Sequence, residues 1–141
     1  MKKLLIAGVF TFTLVGCAST PPQAQGMMQE TIRYSSSPCF GACPIYSVEI
    51  SPSGAVHFDG KQYTKVTGTQ DLTVSPSVYK KLQQELQSYR PETGANVKTT
   101  GCQQTATDQP SAYFWWKRPD GTVTRLSHYT GCISPANIEL N

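Results

Sequence analysis

The residues able to do chemistry in this 141-residue chain are few, and the cysteines stand first among them. Cys39 and Cys43 lie in "PCFGACPIY", with three residues between them. Such a pair could be a redox couple, a metal clamp or a structural staple. A redox couple needs a low-pKa thiolate, usually at a helix N-terminus or beside a cation. Here Pro44 is followed by Ile45, Tyr46 and Val48, which predict a strand rather than a helix. A metal site could combine Cys39 and Cys43 with His57 and His128, since thiolates and imidazoles suit zinc or copper(I). Neither histidine stands at a ligand spacing, so no metal and no other cofactor is expected. Hydrolysis needs a nucleophile with a positioned base, and the chain has no G-x-S-x-G. Asp108, beside Thr107, is the most suggestive acid, and with His128 and Tyr129 it could line a ligand surface. A loop carboxylate more often caps backbone N–H groups. No catalytic set emerges. By elimination the preferred class is a non-catalytic binding or structural module, with an envelope hydrolase or a thiol- or metal-dependent protein as the rival.

Which cysteine chemistry applies depends on the compartment. Met1, Lys2 and Lys3 precede the apolar run Leu4 to Val15, then Gly16 and Cys17. A basic start, a short apolar run and a small residue form a secretory signal. The run is too short for a spanning helix, which needs roughly 20 residues. The ending "LVGC" resembles the lipobox of bacterial lipoproteins. That resemblance implies cleavage after residue 16, lipidation of Cys17 and, with Ala18 next, retention at the outer membrane on its periplasmic side. Losing Lys2 and Lys3 with the signal lowers the formal charge from +3 to +1. A nucleic-acid binder would show clustered Lys and Arg with a strong net charge, so that partner is excluded. The expected partners are the membrane, through the lipid on Cys17, and an envelope protein or glycan.

The elements that must position these residues follow from the pattern. Residues 17 to 29, with two prolines and no charge, read as a tether to the membrane. A single domain is expected over 30 to 141. "ETIRYS" alternates as a short strand, and Tyr46, Val48 and Ile50 should share one face of the next. "PSG" turns this strand into "AVHFDG", with Val56 and Phe58 inward and His57 and Asp59 outward. "KQYTKVTG" is a candidate third strand. Ser75 and Pro76 then open a helix with Val78, Leu82, Leu86 and Tyr89 on one face, ended by Pro91. Residues 92 to 111 are polar and read as a long loop. "AYFWWKR" is apolar on both faces, as in a central strand, with Trp115 and Trp116 pointing oppositely. One tryptophan should be core, and the other could be a platform for a glycan or protein. "PDG" turns it into "TVTRLSHYT". The expected fold class is α+β, an antiparallel sheet of about five strands with one helix packed on a face.

Export favours disulfides among Cys39, Cys43, Cys102 and Cys132. Of three possible pairings, Cys39–Cys43 and Cys102–Cys132 are preferred, one closing a tight loop through Gly41 and the other fastening the long loop to the last hairpin.

"PCFGACPIYSVEISPSGAVHFDG" also resembles the opening of a family of small bacterial envelope proteins, a domain of unknown function. That family carries a Cys-Phe-Gly-x-Cys-Pro-x-Tyr signature followed by a strand, a glycine turn and a second strand. The likeness extends to "TVSPSVYKKL", to Thr107 and Asp108, and to His128, Tyr129 and Gly131. It implies a fold and a compartment and no activity. Cys102 and Cys132 lie outside the pattern, and two additional cysteines are most simply each other's partners.

Overall fold

A computed structural model describes residues 29–141. The signal, the lipobox with Cys17 and nearly all of the tether therefore lie outside the described residues. Among the described residues nine strands form: β1 Thr31–Ser36, β2 Ile45–Ile50, β3 Ala55–Gln62, β4 Gly68–Thr73, β5 Asn96–Lys98, β6 Gln104–Thr105, β7 Ser111–Lys117, β8 Val123–Tyr129 and β9 Cys132–Ile133. Among the same residues one α-helix, α1, spans Pro76–Leu86, and a 3-10 turn spans Ile138–Leu140. The main sheet has seven strands in the order β4-β3-β2-β1-β7-β8-β5, and β6 pairs with β9 in a second, two-stranded sheet.

The fold is thus mostly β, which corrects the expected five-strand antiparallel sheet. The main sheet is mixed, because β5 runs parallel to β8. The reading as a five-strand sheet failed on the strands that bury nothing. Every residue of β4, β5 and β6 is exposed, so none carries the apolar alternation that marks a strand. Backbone pairing to a neighbour is enough to form them. The polar stretch 92 to 111 therefore holds two short strands instead of one long loop. "KQYTKVTG" is likewise not a strand of its own: β3 runs through Gln62, Tyr63 turns with φ 55°, and β4 starts only at Gly68.

The first hairpin forms as its pattern dictates, with Ile32 opposite Ile50 and Ile50 opposite Val56. Gly54 at its turn has φ 89°, and a Cβ there would sit 2.0 Å from the Val74 carbonyl oxygen. That close approach brings the chain from β4 back to the hairpin, where the Val74 N–H bonds the Gly54 carbonyl at 2.8 Å. The helix follows at once. The Ser75 hydroxyl accepts from the Ser77 N–H, and Pro76 occupies the first turn. Leaving β4 at one edge and leading to β5 at the other, α1 carries the chain across one face of the sheet.

The core is sealed under this helix by Ile32, Ile50, Ala112, Phe114, Trp116 and Leu126, together with Tyr79 and Leu86 from α1. The helix face differs from expectation by one position at its start. Tyr79 is 2% exposed whereas Val78 is 49% exposed. Tyr79 wins because it fills more of the core and because its hydroxyl donates to the Glu30 carbonyl at 2.5 Å. Its phenol is pushed up to about 12 by burial and then by the nearby Glu30 charge, so it remains a donor. The Glu30 carboxylate accepts a fork from Arg90, at 2.9 Å from Nε and 2.5 Å from Nη2. This buried pair fastens the start of the domain to the end of the helix.

Candidate functional site

The helix covers one face of the sheet, and the other face carries the surface that can bind. Register alone builds it. Arg33 is opposite Glu49, Glu49 opposite His57, and His57 opposite Asp71. In the other direction Arg33 is opposite Trp115, Trp115 opposite Arg125, and Arg125 opposite Asn96. One row of side chains therefore crosses all seven strands on the face away from α1. Residues in register share a face, and the neighbouring row, Leu72, Val56, Ile50, Ile32, Trp116 and Thr124, belongs to the helix side.

Two clefts divide the open face. One, of about 280 Å³, is lined by Thr31, Arg33, Glu49, Trp115, Lys117, Val123 and Arg125. The other, of about 380 Å³, includes Thr31, Glu49, Ser51, His57, Asp71 and Thr73. They meet at Thr31 and Glu49. Arg33 holds its guanidinium carbon 5.3 Å from the Trp115 ring centre, and Tyr113 lies 6.0 Å from it along the strand. In the second cleft His57 Nδ1 is 2.7 Å from Asp71 Oδ1. On the helix side, a separate apolar groove of about 320 Å³ runs between Leu82 and Leu86 of α1 and Tyr34, Tyr46, Val48 and Phe114. There the Tyr34 phenol is pushed up to about 12 by burial, then by Tyr46, so that hydroxyl stays neutral.

The structure places the residues singled out by the sequence in several different settings. Cys39–Cys43 and Cys102–Cys132 are at disulfide distance, with Cα atoms 5.8 and 4.9 Å apart. The small ring displays Phe40, which is 89% exposed. Gly41 adopts φ 149° within it, and the Phe40 N–H bonds the Asp108 carbonyl at 3.2 Å. Asp108 itself is exposed with φ 65° and accepts from the Thr107 hydroxyl at 3.2 Å. The Tyr129 hydroxyl donates to the Ala106 carbonyl at 2.9 Å and accepts from the Gln109 N–H at 3.2 Å. It thus clamps the loop that carries Asp108. His128, one residue earlier, faces the other way and is 0% exposed. Its ring sits between the Thr99 hydroxyl, at 3.2 Å from Nδ1, and Asn141 Oδ1, 2.8 Å from Nε2. Asp108 and Tyr129 are therefore together at one loop, and His128 is a filled core position. Among the described residues no group of three or more His, Cys, Asp or Glu could hold a metal ion, and no helix is long and apolar enough to cross a membrane.

Arg33, Glu49, Lys117, Arg125 and Asp71 went unnoticed in the sequence. For Arg33, Glu49 and Arg125 the signal was present, since each occupies the polar position of an alternating strand, whereas Lys117 ends a strand that is apolar on both faces and Asp71 lies in β4, which has no alternation. What was missing was the strand order, which alone puts Arg33, Glu49, Arg125 and Asp71 in one row, with Lys117 on the same cleft beside it.

Residues 30–141 match the family described as Domain of unknown function (DUF6438). The chain belongs to this family. No curated protein and no solved structure matches it. The open face of this DUF6438 domain must therefore be read from its own chemistry.

Proposed function

We propose that the protein is a bacterial envelope lipoprotein, held on the periplasmic side of the outer membrane by lipid on Cys17, whose domain is a non-catalytic binding module. Its binding surface is the open face of the sheet. One observation carries this reading. An ordered row of charged and aromatic side chains, completed by Asn96 on the seventh strand, runs across the face that α1 leaves uncovered. The anchoring rests on Lys2, Lys3, the twelve-residue apolar run and "LVGC". Together they describe a small domain kept within reach of the envelope and turning one recognition face toward it.

Hydroxyl-radical footprinting in intact envelopes tests both halves. Trp115 and His57 should be protected relative to the purified protein, while the exposed helix residue Val78 labels equally in both. Cys17→Ala should leave the envelope fraction and lose that protection. Equal labelling of Trp115 in envelopes and in solution would sink the reading of the open face. A Cys17→Ala variant that is cut normally and still sediments with membranes would sink the anchor.

A further inference from the structure

We propose that the cleft around Trp115 binds a saccharide chain carrying carboxylates, which lies on the indole between two guanidinium groups. The inference rests on the open face being the binding surface. Register sets Arg33 and Arg125 on either side of Trp115. Two inter-strand steps separate their backbones, roughly 10 Å. Lys117 lines the same cleft, and Glu49 is its one acid. None of the ion pairs formed among the described residues includes Arg33, Lys117 or Arg125. Three cations thus face one carboxylate in a cleft open to solvent. That is the complement of an anion, and a guanidinium takes a carboxylate through two parallel N–H donors. Arg33 already lies over the Trp115 ring, its guanidinium carbon 5.3 Å from the centroid, so the saccharide takes the part of the indole that Arg33 leaves uncovered.

The neighbouring cleft decides which anion. Beyond the shared Thr31 and Glu49 the polar lining is Ser51, Thr73, His57 and Asp71, interleaved with Ala55, Val56 and Leu72. A densely charged polymer, such as a nucleic-acid strand with a phosphate at every step, would lay negative charge against Glu49 and Asp71. An acidic peptide would satisfy the arginines but offers no flat C–H ring face to Trp115. A saccharide offers one, and its hydroxyls suit the hydroxyl, imidazole and carboxylate groups of the second cleft. Carboxylates on only some of its rings match a surface that is cationic on one half and acidic on the other.

The test titrates the full, lipidated chain in non-ionic micelles by calorimetry and Trp fluorescence. The probes are a hyaluronan hexasaccharide, with a carboxylate on every second ring, its neutral methyl ester, a glutamate hexamer and polyphosphate. The hyaluronan hexasaccharide should bind, and added salt should weaken it. Affinity should fall about tenfold or more for the methyl ester and for Arg125→Gln and Trp115→Ala, each confirmed folded by circular dichroism. Equal binding of the methyl ester would overturn the role of charge. Equal binding of the glutamate hexamer or polyphosphate would overturn the saccharide. Full affinity in Trp115→Ala would overturn the platform, and no binding of any probe would overturn the inference as a whole. In that last case protection of Trp115 in envelopes would still uphold the open face as a binding surface. Its absence there would remove the reading on which this inference stands.

Discussion

Trp115 and Trp116 are neighbours in the chain and belong to different parts of the molecule. Trp116 is 1% exposed, packed with Phe114 at 6.1 Å beneath α1. Trp115 stands half-buried on the other side, among Arg33, Lys117 and Arg125. The same strands build both faces, so the contrast comes only from alternate residues and from α1. On the covered face apolar area is removed from water and holds the domain together. On the open face part of the Trp115 ring remains exposed to solvent. The first prediction breaks or confirms this division. Trp116→Ala should cost about 3–5 kcal/mol, as large aromatic truncations in cores do. Trp115→Ala should cost about 1–2 kcal/mol, from a partly buried ring and one cation–π contact. Urea denaturation of both variants measures the difference, and equal costs would mean that the two faces are wrongly assigned.

How much of this was legible depends on whether a strand buries anything. β1, β2 and β3 bury one face, and their alternation marked them in the sequence, while β7 was marked by its continuous apolar run and β8 by the "PDG" turn before it. β4, β5 and β6 bury nothing, and they were missed or misplaced for that reason. The cysteine pairing was also anticipated, because the ring through Gly41 and the long loop each had one sensible partner. The candidate site was hardly legible at all. Arg33, Glu49, His57, Asp71, Trp115 and Arg125 come from six strands spread over most of the domain, and only the order β4-β3-β2-β1-β7-β8 aligns them. Conversely, His128 drew attention as a chemical residue, while its position on β8 turns it inward with Thr124 and Leu126.

The second prediction extends the comparison to the two disulfides, one at each kind of surface. Cys102–Cys132 spans 30 residues and ties an exposed loop to a buried cysteine, beside the β6–β9 ladder. Cys39–Cys43 spans four residues and shapes an exposed loop. Loop-closure entropy gives roughly 3–4 kcal/mol for the longer ring and about 2 kcal/mol for the shorter. The Cys102→Ser/Cys132→Ser variant should therefore melt well below the Cys39→Ser/Cys43→Ser variant. The latter should remain folded, since Ser36 and Ser37 still bond Pro44 and Ser111 across the base of the loop. A reversed order in calorimetric melting would show that the small ring, and Phe40 with it, is built into the packing rather than displayed. Mass spectrometry after alkylation without reductant checks the bonds themselves, and four alkylated thiols would contradict both.

The smallest expected effect sharpens the boundary between covered and uncovered surface on the helix. Successive helical residues are rotated by about 100°, so moving the buried stripe from Val78 to Tyr79 turns the first helical turn by that amount. In the structure the stripe is Tyr79, Leu82 and Leu86, and Val78 looks outward. Val78→Ser removes little contact and leaves the Ser75 cap and the Val78 N–H bond to the Ser75 carbonyl in place. The change in stability should stay within about 0.5 kcal/mol, the range of surface substitutions. Leu82→Asp in the same experiment should cost several kcal/mol, because it sets a carboxylate against the core. If Val78→Ser instead lost more than about 1 kcal/mol, α1 would lie rotated toward Val78. Tyr79 would then be released from Glu30, and the covered face would have to be redrawn.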